Sequence, residues 1–391
     1  TVGSGNYVSG KFASTVGYGN DITTSGERAH TFGMENTGNA ENSVIVGSGN
    51  VNDSSQSFVA GHGNWNQESG EQSHVIGRKN ISNADNSFII GSGNKNTGEF
   101  SSVIGYGNKN LSKDSIVVGY GNEVSDSGDT SNVFGRSNEV YANHATAVGI
   151  DNIVSGLSGA AYGNLNTVTV KGENTLIFGI GNTGNAEDCV ILGKENVINS
   201  PNSVVGGYRN FTDSTSADIT IFGRKNVVET ATSARTMGSG NRALADLSTT
   251  FGNANLTDQG AEFGSIFGNF NTGDATGLGI FGSGNVSNAV LSYIVGNDNV
   301  HTAGAVKSNT FGENNVNNAE HSTIVGSGNI NSGVSSASFG YGNDITNSGT
   351  RSHTFGMENT GNAENSVIVG SGNTNHAADS MTVGYGNLNQ D

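Results

Sequence analysis

The chain of 391 residues carries 34 acidic and 17 basic side chains, a formal net charge of −17, and only 33% apolar residues. Nucleic-acid binding by counterion release needs dense basic patches, and pairs such as Arg78-Lys79 and Arg224-Lys225 are too sparse for it. A single Cys excludes an intrachain disulfide framework, 61 Gly with one Pro and no three-residue period exclude collagen, and no apolar run is long enough to cross a membrane as a helix.

Self-similarity governs everything else. An apolar pair is followed by Gly, two variable residues and Asn, as in Ile45-Val46-Gly47-Ser48-Gly49-Asn50 and Ile89-Ile90-Gly91-Ser92-Gly93-Asn94. The anchor Gly falls at 3, 17, 33, 47, 61, 77, 91, 105, 119, 135, 149, 163, 179, 193, 207, 223, 238, 252, 268, 282, 296, 312, 326, 340, 356, 370 and 384, which is 27 copies. Asn stands three residues after it every time, from Asn6 to Asn387. Seventeen spacings are 14 residues, eight are 16, and one, from Gly223 to Gly238, is 15. No linker or shift of composition interrupts the series, so residues 1–391 read as one continuous domain.

Within each repeat the first element is a strand. The residue two before the Gly is Val, Ile or Thr in 24 copies, and the residue immediately before it is apolar in all but one, which has Gly206. The residue four before it is small in 24 of 26 copies. Small-x-β-branched-apolar ending at Gly reads as a short strand, and 14 residues are too few for a helical hairpin. Two short strands and two turns then complete one coil of a parallel β-solenoid, about 27 coils in all. The Gly at the strand end is expected at positive φ or at a close backbone approach. The Asn after it is expected to tolerate the left-handed region and to stack on its neighbours as an amide ladder, with Asn50, Asn94, Asn196, Asn285 and Asn373 as examples.

Along the chain, the 16-residue coils begin at Gly17, 61, 119, 163, 207, 252, 296 and 340. Spacings of 14 and 16 differ by an even number, so the alternation of faces is expected to survive. Seven of the eight long coils close with Phe (Phe32, Phe134, Phe178, Phe222, Phe267, Phe311 and Phe355), which suggests that the longer coil makes room for the ring. Residues 18–52 and 341–375 are nearly identical, so the body grew by copying. Cys189 stands in a column otherwise held by Ser43, Ser57 or Ser203 and reads as a buried thiol replacing Ser.

Adjacent strand residues point to opposite faces. Ile45 with Val46, and Ile89 with Ile90, therefore place apolar side chains on both, as do Phe178, Phe222, Phe311 and Phe355. One face fills the coil, and the other needs a second surface. Stacked at about 4.8 Å per coil the uncovered stripe would run for about 130 Å, far more than a soluble monomer tolerates. The covering surface is expected to be further copies of this chain, as a parallel homo-oligomer with a cyclic axis.

Ser-x-Val/Ile-Val/Ile-Gly at a period of about 14, as in Ser43-Val44-Ile45-Val46-Gly47, resembles the head repeats of YadA-like trimeric autotransporter adhesins, the elongated UspA-type heads most of all. The likeness covers essentially the whole chain, and departs in the invariant Asn where the family has a small residue. It implies a left-handed parallel β-roll, a parallel homotrimer, and display on the cell surface beyond the outer membrane of a Gram-negative bacterium. No heptads and no membrane strands follow Asn387, and no apolar leader precedes the repeats, so the resemblance implies a head fragment that does not itself contact the membrane.

An adhesin head would attach to host extracellular-matrix or cell-surface protein or glycan, or to other bacteria, with no cofactor and no nucleic acid. The alternatives are a passive spacer that projects a distal binding domain and, more remotely, an ice-binding solenoid. The latter needs a flat Thr array, whereas Thr31, Thr250, Thr310 and Thr354 are scattered on a face expected to be buried. An enzyme is not expected: the eight His residues are dispersed and no insertion forms a cleft. The G-G-x-G-x-D calcium repeat is missing too. Aromatic residues on outward positions (Tyr18, Trp65, Tyr106, Tyr120, Tyr341 and Tyr385) are candidate surface contacts, with Tyr106 and Tyr120 expected to stack. Filling a turn is the simpler role for each.

Overall fold

The computed structural model describes residues 1–390, and every regular element in it is a strand. One coil holds a five-residue strand that ends just past the anchor Gly, such as Val44–Ser48, then a two-residue strand, such as Val51–Asn52. Corresponding strands of successive coils pair parallel and in register. Val44 opposes Phe58 and Gly47 opposes Gly61 on the long strands, and Val51 opposes Trp65 on the short ones. The protein is thus an all-β parallel β-solenoid. It divides into two compact units, Thr1–Glu195 and Asn196–Asp391. The first carries fourteen long strands, from Val2–Ser4 to Val190–Lys194, and the second thirteen, from Val204–Tyr208 to Met381–Tyr385.

The coil interior is narrow and built from columns. The residue two before the Gly points inward: Ile45, Val59, Val75 and Ile89 have no solvent exposure. So do Thr31, Thr250, Thr310 and Thr354, whose hydroxyls are therefore unavailable to a surface lattice. The second residue of each short strand closes the interior from the other side, with Ile22, Asn52, Ser82 and Val124 in that column. Cys189 is fully buried and its thiol donates to the Glu187 carbonyl at 3.2 Å.

Glycine is required at the anchor twice over. Gly47 has φ 128°, and a Cβ there would overlap the carbonyl oxygen of Gly61 on the next coil. The ladder Asn, by contrast, is not left-handed. The residue before it is, as Glu35 at φ 54° and Lys79 at φ 53° show. That correction has a simple cause: the corner turns one residue earlier, so the Asn side chain can point straight into the coil.

There each Asn bonds in both directions. The Asn50 amide N–H and Nδ2 both donate to Asn36 Oδ1, at 3.2 and 3.0 Å, while Nδ2 also donates forward to the Gly61 carbonyl at 2.9 Å. Asn94, Asn285 and Asn373 repeat the arrangement. In the second unit Asn196 Oδ1 accepts both bonds from Asn210, at 3.0 Å each. The buried amides thereby satisfy one another and the sharp Gly corner together.

Two expectations about coil length are corrected. The extra residues of a 16-residue coil lie in the corner between short and long strand, where Gly26 N–H bonds the Thr23 carbonyl and Ala29 N–H bonds that of Gly26. The 15-residue coil keeps its strand register too, with Phe222 opposite Met237 and Gly223 opposite Gly238, because Thr230 and Ser233 take up the odd residue at φ 56° and 57°. An even difference is therefore not what preserves the alternation. Nor does the longer coil house a ring. The rings project outward, and Phe251, Phe281 and Phe339 close coils of ordinary length.

Candidate functional site

With the β-branched column turned inward, the residue just before each anchor Gly must face out. Of the apolar positions picked from sequence, the single chain buries Ile45 and Ile89 completely. Ile90 is half-buried, while Val46, Phe178, Phe222, Phe311 and Phe355 lie on the outer face, with Phe178 40% and Phe311 44% exposed. As core residues of one chain, these five are corrected to surface residues. Their rings are ordered nonetheless. Phe251, Phe267 and Phe281 form a continuous stack with centroids 5.1 and 5.0 Å apart, and Tyr162–Phe178 and Phe339–Phe355 stack at 4.8 and 5.1 Å. The coil repeat sets this spacing, so each unit presents a regular apolar file.

The candidate contact residues are all exposed. Tyr18, Tyr106, Tyr120, Tyr341 and Tyr385 follow the anchor Gly at the end of the long strand and expose more than half their surface, so none fills a turn. Tyr106 and Tyr120 stack at 5.3 Å with an interplanar angle of 8°. Trp65 begins a short strand and points outward, its indole Nε1 donating to Asp53 Oδ2 at 3.0 Å.

Two features escaped the sequence reading. The first residue of each short strand also faces out, and in the second unit Leu256, Val286, Val300, Val316 and Ile330 line that column. The signal was the residue directly after each ladder Asn. The other is His301, fully buried in the coil of the second unit. Its Nε2 lies 2.7 Å from Thr310 Oγ1, its Nδ1 has no partner, and burial pulls its pKa down to about 4.

The surface offers little that could process a small molecule. A shallow concavity of about 310 Å³ beside the 15-residue coil is lined by Thr230, Leu244, Asp246, Gln259 and Glu262. No group of three or more His, Cys, Asp or Glu side chains that could hold a metal forms among the described residues. No family model matches the chain, and no curated protein does either. What the structure offers for recognition is therefore its outer columns, periodic along each unit.

Proposed function

We propose that the chain is part of a cell-surface adhesin head: a parallel homotrimer of left-handed β-rolls, displayed beyond the outer membrane of a Gram-negative bacterium. It attaches to host extracellular-matrix or cell-surface protein or glycan, or to other bacteria. The observation that carries this reading is the outward file exemplified by Val46, Phe178, Phe311 and Phe355. Contiguous exposed apolar surface on that scale marks an interaction face. A second copy of the chain carries rings at the same spacing, so the two files are commensurate rung by rung, and a cyclic axis along the strand stack buries all of them alike. The resemblance in period, strand signature and turn Gly supports three chains and the adhesive role.

The test is to present the purified protein to arrays of matrix proteins and host glycans and to whole bacterial cells. Saturable binding to any of them supports an adhesin. Binding to none supports the passive spacer and overturns the adhesive reading.

A further inference from the structure

We propose that the corner formed by Arg209, Arg224 and Lys225 is a binding site for a sulfated polysaccharide. In a chain with twice as many acidic as basic side chains, these three cations sit together. Tyr208 and Arg224 are register partners on adjacent long strands, and the Lys225 N–H bonds the Tyr208 carbonyl at 2.8 Å. Arg209 and Lys225 therefore hold the same corner position on consecutive coils, about 5 Å apart, and all three side chains are exposed.

The arrangement works against stability in two ways. Arg209 and Lys225 both have φ 55°, a left-handed conformation that strains any residue with a Cβ. The equivalent position is Gly in 14 of the 27 repeats, from Gly5 to Gly386. Like charges directly opposite each other on neighbouring strands also repel. Elsewhere a lysine on an outer column is answered from the next coil, as Lys109 is by Glu123 at 2.6 Å. Arg224 and Lys225 have no carboxylate partner among the described residues. Strain and repulsion held together without a neutralising acid imply an anion supplied from outside.

The geometry narrows the anion. The Arg209 guanidinium lies 4.8 Å from the centre of the Tyr208 ring, which fixes the plane of its fork. A fixed guanidinium fork matches the oxygens of a sulfate group. The same contact covers the Tyr208 face, so a nucleic-acid base cannot stack there. A uniformly charged duplex would also lie along the acidic body, whereas a sulfated polysaccharide carries its charges on a flexible sugar chain and can engage three cations alone. The inference rests on the adhesive reading for its biological sense, and a trimer would offer the site three times.

The test uses the full chain on an immobilised heparin-type polysaccharide, beside the triple variant Arg209→Gly, Arg224→Ser, Lys225→Gly. Other coils hold Gly and Ser at these positions (Ser239-Gly240, Ser283-Gly284), so the variant should melt no lower than the parent. The parent is expected to bind at 50 mM salt and to weaken about tenfold or more by 200 mM, and the variant to bind at least tenfold more weakly. Equal binding by both, or no binding by the parent, overturns the site. Retention of duplex DNA as strong as that of the polysaccharide, lost in the same variant, overturns the ligand class. If the parent ignores the polysaccharide yet still attaches to matrix protein or cells, this site fails and the adhesin reading stands. Attachment to nothing fails both.

Discussion

Gly206 lies directly beneath the ring of Phe222. A Cβ on Gly206 would sit 2.7 Å from Phe222 Cδ1 and 2.9 Å from Cε1. Gly206 is also the one residue of its outward file that is not apolar, so its missing side chain lets the next coil's ring lie flat on the strand. Its φ is not positive, so Gly206→Ala has no backbone strain to overcome. It should nonetheless cost about 1 kcal/mol or more by overpacking. In a Phe222→Ala background the same change should be neutral or stabilising, because alanine restricts the unfolded chain. Denaturant melts of the four proteins check the coupling. Independent effects would show that the ring does not rest there.

The Asn ladder predicts a large loss at a position with no role outside the coil. Asn285 donates to Asn271 Oδ1 and the Gly296 carbonyl and accepts two bonds from Asn299. Asn285→Ala strands several of these buried groups and should cost about 3 kcal/mol. Asn297→Ala, on the exposed outer column, should change stability by less than about 0.5 kcal/mol. Thermal melts compare the two, and similar losses would mean that the ladder contributes nothing of its own.

Two glycines separate conformational freedom from close approach. At Gly268, φ is 130° and a Cβ would overlap the Gly282 carbonyl oxygen, whereas at Gly240 φ is 65° and nothing lies within 4 Å of the added atom. Gly240→Ala should cost about 1–2 kcal/mol, the left-handed penalty alone. Gly268→Ala must push two coils apart, and should lower the yield of folded protein or the melting temperature far more. Comparable behaviour of the two variants in a melt would contradict the backbone contact.

His301 makes the second unit sensitive to acid. Burial lowers its pKa from 6.5 to about 4, so the folded state favours the neutral ring and the unfolded chain binds the proton first. Its contribution is complete above pH 6.5 and is lost as pH falls from 6.5 towards 4, amounting to about 3 kcal/mol at 1.36 kcal/mol per unit. His301→Asn places in this column the amide that Asn317 and Asn331 already supply there. The melting temperature of the variant should fall less than the parent's over that range. Parallel curves would show that His301 titrates without affecting the fold.

Much of the architecture was legible because the repeat states it 27 times. The strand, its end at Gly and the Asn column are each written in a residue type with few physical uses. What stayed hidden has equally specific causes. Ile45 and Val46 are both apolar, so composition could not say which faces in, and the answer came only from the pairing of strands. The left-handed corner hid behind Glu35 and Lys79, which do not advertise positive φ as Gly does. The inward column of the short strand mixes Ile22, Asn52, Ser82 and Val124 and has no pattern from which to read His301 as buried. Charged neighbours such as Arg209 and Lys225 are 16 residues apart in sequence, and only the coil places one over the other.

The central claim is that the outward apolar file is covered by further copies of the same chain. Static light scattering on the purified protein at micromolar concentration tests it most directly. The account predicts a folded species of about 120 kDa, three times the 39.9 kDa chain, with no folded monomer on dilution, because unfolding and dissociation are then one event. A stable, folded species at the mass of a single chain would contradict it.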